Sequence, residues 1–165
     1  MEPFNRIAIK SPVMLAGTVL ACVILGSIGS VVTLTAPGSW YSLLAKPAFQ
    51  PPGWIFGPVW TLLFVLMGIG LYLVWEQGTD KPEVRVALAV FGIQFVFNIL
   101  WSFLFFGLRS PLLGLIDVII LWWMILATIV TFCRVRKGAA YFLIPYIGWV
   151  SFATVLNAAI YIMNP

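Results

Sequence analysis

The chain has 165 residues, 62% hydrophobic and only 8% charged, with a mean hydropathy of +1.08. A soluble domain carries about 25% charged residues, so a water-facing shell is excluded and one compact membrane-embedded domain over 1–165 is expected. The net charge is +4 and there is no histidine, which rules out histidine-ligated haem, HExxH-type zinc sites and histidine acid–base catalysis.

Five apolar stretches run at about 12–35, 54–76, 84–107, 112–133 and 139–163. Each meets the roughly 20 helical residues that a bilayer core requires. The expected fold is all-α, an integral membrane bundle of five transmembrane helices with a long structured first loop. Short links, Glu76 to Glu83, Leu108 to Pro111 and Arg134 to Gly138, force antiparallel neighbours.

Arg6 and Lys10 precede the first run, and Val19-Leu20-Ala21-Cys22 loosely matches a lipoprotein cleavage site. The run continues about a dozen residues past Cys22, beyond the usual apolar region of 7–15 in a signal peptide. A retained span is expected. Thr18, Cys22, Gly26 and Ser30 recur every fourth residue, a small-residue face suited to packing within the bundle or to a dimer interface. Cys22 and Cys133 form no CxxC, and no disulfide framework is expected.

The first loop and its flanks, Trp40 to Trp60, read WYSLLAKPAFQPPGWIFGPVW. Pro51-Pro52-Gly53 cannot continue a helix, whereas a proline is suited to open one. Indoles favour the membrane interface because they combine an apolar face with one N–H donor. The segment reads as a stiff aromatic lid on the bundle. Arg6, Lys10, Lys81, Arg85, Arg134, Arg136 and Lys137 fall on the N-terminal side, against Lys46 and Arg109 on the other. The positive-inside rule then puts the N-terminus in the cytoplasm of a bacterial-type plasma membrane and the lid outside.

Asp117 is the carboxylate deepest in a span; at about 2.5–3.5 kcal/mol for a central Asp, it should face the interior, paired or neutral. Gln94, Asn98 and Ser102 share one helical face, and Trp149, Ala153 and Asn157 share another. Pro145 interrupts the fifth span and frees the Tyr141 carbonyl. At about 1.5 Å per residue, Trp60, Trp101, Asp117 and Asn157 all lie roughly 9 Å below the lid-side surface. Asn98 and Ala153 fall near 14–15 Å and Trp149 near 21 Å by the same rise. Apolar walls with a few convergent polar groups describe a ligand cavity; helix-bridging amides and interfacial tryptophans are the competing explanation.

At these residues the chain resembles the translocator protein family, also called tryptophan-rich sensory proteins or peripheral-type benzodiazepine receptors. The matching pieces are WYxxLxKPxFxPPxWIFxPVWTxLF from Trp40 to Phe64, QxxxNxxWxxxFFG from Gln94 to Gly107, Gly114 through Asp117, and PYxxWxxFATxLN from Pro145 to Asn157. The resemblance implies a five-helix protein, often dimeric, that binds protoporphyrin IX and synthetic hydrophobic ligands beneath the first loop. Its ligand contacts would be Tyr41, Pro51, Trp60, Phe64, Asn98, Trp101, Asp117, Trp149 and Ala153. It also implies, as an alternative, light-dependent porphyrin degradation with Trp60 and Trp149 as the reacting residues; a membrane scaffold is the third reading.

No cofactor or metal is required on this reading. Haem is the weaker ligand, since no histidine would hold the iron. Membrane lipid surrounds the protein, a homodimer is an option, and no nucleic-acid partner is expected. Phe49 stands where the family often has Trp. Tyr161 is followed by Ile162-Met163-Asn164-Pro165 with no basic residue, so strong sterol binding is not expected.

Overall fold

A computed structural model describes residues 11–165; Arg6 and Lys10, which entered the charge asymmetry, lie outside the described residues. Five helical spans cross the apolar thickness: Pro12–Val31, Gly53–Trp75, Pro82–Gly107, Pro111–Val135 and Lys137–Met163. In chain order, α1 (Pro12–Gly26) runs into a 3-10 turn (Ser27–Val31), and α2 (Trp40–Leu43) lies in the first loop. A 3-10 turn (Gly53–Ile55) leads into α3 (Phe56–Trp75), and α4 (Pro82–Ser102) continues as a π-helical turn (Phe103–Gly107). Then come α5 (Pro111–Val135), the short α6 (Lys137–Tyr141) and α7 (Ile144–Met163).

Local chemistry sets these ends. Proline occupies the first turn of α1, α4, α5 and α7, where its missing N–H has no helical partner to lose. Ser11 Oγ accepts the Met14 N–H at 3.3 Å and Ser110 Oγ accepts that of Leu113 at 3.2 Å, capping α1 and α5. The first span stops at Val31, short of 35. There the hydroxyls of Ser27, Ser30 and Thr33 donate to the carbonyls of Val23, Ser27 and Gly29, and such back-bonding competes with helix continuation. The fifth span is broken in two: α6 ends at Tyr141 and α7 restarts at Ile144, so Pro145 opens a helix instead of interrupting one.

The spans pack in a ring. α1 lies on α3, α3 on α6, α7 on α5, α5 on α4, and α4 closes the ring on the first span. The first part of the small-residue stripe packs inside the molecule, whereas Ser30 is exposed. Thr18 and Cys22 are buried, and a Cβ on Gly68 of α3 would sit 2.5 Å from the Val19 Cα. Only glycine permits that backbone approach. α3 packs on α6 more closely than on α7; Phe56 meets Trp149 at 5.7 Å and Trp60 meets Tyr146 at 6.3 Å across the gap between α3 and α7. At the end far from the loop, Arg136 donates to Glu76, whose side chain is only 4% exposed, tying α3 to the α5–α6 junction.

Candidate functional site

The loop forms a roof over that gap. Ser39 accepts the Ser42 N–H at 3.4 Å and starts α2, which presents Trp40 and Tyr41 downward. Trp40 lies 5.8 Å from the ring of Phe105, and Tyr41 lies 5.2 Å from Phe106. The π turn supplies both phenylalanines: Leu108 N donates to Phe103 O, five residues back, at 2.8 Å, and the widened turn brings consecutive rings to the roof. The roof is fastened on its other side by Asn164. Its Oδ1 accepts the Ala45 N–H at 2.9 Å, and its Nδ2 donates to the Ala45 carbonyl at 3.0 Å.

Lys46 Nζ donates to the carbonyls of Ser42 and Leu44, each at 3.2 Å, and sits 4.8 Å from the Tyr41 ring centroid. No carboxylate pairs with it among the described residues. Burial pushes the Tyr41 phenol above its ordinary pKa, with the neighbouring Gln50 side chain offsetting part of the rise. The Tyr41 phenol therefore stays uncharged beneath Lys46.

Beneath lies a cavity of about 610 Å³, within the range of about 300–1,000 Å³ typical of small-molecule sites. Tyr41, Trp60, Phe64, Asn98, Trp101, Trp149 and Ala153 line it, drawn from the roof, α3, α4 and α7. Pro51 and Asp117 do not. Gln50 and Gly53 reach the cavity from the roof instead of Pro51, and on α5 the contacts are Val118 and Leu121. Asp117 does face the interior, at 2% exposure, but neither carboxyl oxygen has a hydrogen-bond partner among the described residues.

The polar groups are arranged in two tiers. In the upper tier Trp101 Nε1 donates to Asn157 Oδ1 at 3.1 Å, and Asn157 Nδ2 donates to the Pro111 carbonyl at 2.8 Å. In the lower tier Asn98 Nδ2 donates to the Tyr146 hydroxyl at 2.8 Å, which donates to Gln94 Oε1 at 3.0 Å. Both asparagines thus bridge helices and line the cavity together. The Trp149 Nε1–H is buried with no partner among the described residues, an uncommitted donor in the wall. Trp60 stacks on Phe64 at 5.6 Å, presenting a continuous aromatic surface.

Sequence reasoning missed Phe105, Phe106, Tyr146, Gln50 and Asn164. The FFG motif marked the first two, but nothing in their spacing announced a π turn. Asn164 follows the last span directly, the position of a helix cap, and its partner Ala45 lies 119 residues away.

Five membrane-crossing helices ringed around an aromatic cavity, with a proline-bearing loop for a roof, define a multi-pass membrane protein. The TspO/MBR family model matches residues 18–163, and the chain belongs to that family. It is 45% identical to a tryptophan-rich protein TspO of Chlorobaculum tepidum over 157 residues, 94% of this chain and 99% of that one. It is 46% identical to a protein of the same name from Archaeoglobus fulgidus over 91% of this chain and 96% of that one. To the human translocator protein it is 37% identical over 74% of this chain and 73% of that one.

Proposed function

We propose that the protein is a membrane receptor or carrier for porphyrins, protoporphyrin IX in particular, held under the first loop. The supporting observation is the pairing of a cavity of about 610 Å³, walled by Trp60, Trp101 and Trp149, with a cation at its roof, Lys46, that no carboxylate neutralises among the described residues. A flat apolar macrocycle stacks on indoles, while its propionates lie towards the ammonium. Asn98 and the uncommitted Trp149 N–H offer hydrogen bonds to polar edges of the ring. Metal-free porphyrin fits better than haem, because no histidine is present to ligate iron. The membrane is a bacterial-type plasma membrane, with the roof outside.

Titrating the protein in lipid nanodiscs with protoporphyrin IX tests the reading. Tryptophan emission is expected to fall saturably at micromolar ligand, and Trp149→Phe with Asn98→Ala to weaken binding. Unchanged emission at tens of micromolar ligand would favour a scaffold role.

A second reading, light-dependent degradation of the bound porphyrin, draws support from Trp60 and Trp149 both lining the cavity. Replacing both by Phe should then leave binding within about tenfold while degradation under light stops. Equal loss of porphyrin in the dark would sink the photochemical version.

A further inference from the structure

The cavity opens along one side, between the first span and α3, while its roof is clamped at Ala45 by Asn164. Of the residues around it, Ser27, Ser30, Gly57 and Thr61 on the two spans are exposed, as are Thr35 and Gly53 where the loop joins those spans. The first four face one another across the lid-side halves of the first span and α3. The gap follows from how the first span packs. Up to Gly26 it lies tightly on α3, where a Cβ on Gly26 would come within 2.4 Å of the Phe64 ring. Beyond Gly26 the chain tightens into the 3-10 turn and crosses to α4, and Gly29 there rests against the Ser102 side chain. One helix thus changes partner halfway up, and a cleft opens where it leaves α3.

The cleft lies at lipid depth. Thr61 is about 12 Å below Gly53 at 1.5 Å per residue, and Ser27 about 8 Å below Val31 at the 3-10 rise of about 2.0 Å. Its hydroxyls pose little barrier to an apolar guest. Ser27 donates to the Val23 carbonyl at 2.7 Å, Ser30 to that of Ser27 at 2.6 Å, and Thr61 to that of Gly57 at 2.9 Å. Each donor is satisfied on its own helix, so a ring sliding past strips no hydrogen bond. The roof contrasts with this. Asn164 clamps both backbone groups of Ala45, and Trp40 and Tyr41 are seated on Phe105 and Phe106.

We propose that the ligand enters and leaves sideways, from the hydrocarbon of the bilayer, through the cleft rimmed by Ser27, Ser30, Gly57 and Thr61, while the roof stays latched. The guest is therefore a flat amphiphile already dissolved in the membrane, which slides in with its anionic edge towards Lys46. This rests on the porphyrin reading above and adds the route and the physical state of the ligand.

Stopped-flow quenching of tryptophan emission by protoporphyrin IX, with wild type in lipid nanodiscs, tests it. Gly57→Trp adds bulk where a Cβ meets nothing within 4 Å, so the variant should fold, and Ser30→Trp adds bulk at an exposed position on the opposite rim. Both are expected to slow association about tenfold or more, whereas Asn164→Ala, which frees the roof, should leave association as in wild type. Association unchanged in both tryptophan variants, with loss of affinity appearing only as faster dissociation, would overturn the lateral route. Faster association in Asn164→Ala would overturn it as well, by making the roof the gate. If wild type shows no quenching at equilibrium, it is the porphyrin reading that fails, and the route falls with it.

Discussion

Lys46 spends its hydrogen bonds on the Ser42 and Leu44 carbonyls and lies over the Tyr41 ring, yet no acidic side chain among the described residues balances its charge. Those contacts hold the ammonium still, so under the porphyrin proposal a propionate would meet a pre-positioned partner. Lys46→Met should weaken binding of protoporphyrin IX about tenfold, taking ~1.5 kcal/mol for a hydrogen bond to a charged group. Porphyrin dimethyl ester, which lacks the carboxylates, should bind the variant and wild type alike in the same titration. Equal weakening of both ligands would assign Lys46 to the shape of the roof. Asp117 teaches a complementary lesson. Its depth and type marked it as interior, and it is interior, but depth cannot say which side of a helix faces a cavity. Val118 and Leu121 reach the cavity where Asp117 does not.

Between helices, Gly68 on α3 lies directly against the backbone of Val19 on α1. A Gly68→Val substitution would push its Cβ into backbone, which cannot yield as a side chain can. Overpacking of this kind costs about 1–3 kcal/mol. Buried Cys22 lies three residues further along α1, so thiol labelling during heating reads whether α1 stays seated. In a Cys133→Ser background, Gly68→Val should expose Cys22 at a lower temperature than the parent. An unchanged profile would mean that α1 is held elsewhere. The five spans were legible because their apolar lengths match the bilayer, and the loop because its prolines and tryptophans are incompatible with a plain helix. The break at Phe142–Leu143, the early stop at Val31 and the π turn were not, since hydroxyl back-bonding and tertiary packing decide them and hydropathy is blind to both. The depth layer was found for the same reason that its hydrogen bonds were not: rise per residue is a property of any helix, whereas the Trp101–Asn157 contact depends on which helices are neighbours.

Across the whole molecule, a single span separates the roof from the Lys81 and Arg85 connection, so the roof and the basic end lie on opposite faces. The exposed cations Lys81, Arg85, Arg134 and Lys137 gather at one end, and the roof carries apolar groups such as Trp54, 75% exposed. Exposed Cys133 lies near the basic end of α5, and Phe49 is exposed on the roof. A membrane-impermeant maleimide applied to intact cells should label Phe49→Cys and spare Cys133, and the pattern should reverse in inverted vesicles. Labelling of both from one side would overturn the topology.

The π turn at Phe103–Gly107 has one more consequence, for anyone who would tidy the protein. Deleting a single residue there would restore regular α-helical geometry and rotate the rest of that turn by about 100°. Phe105 and Phe106 would then swing away from Trp40 and Tyr41, and the covering loop would lose the shelf it sits on. The straighter helix would make the worse container.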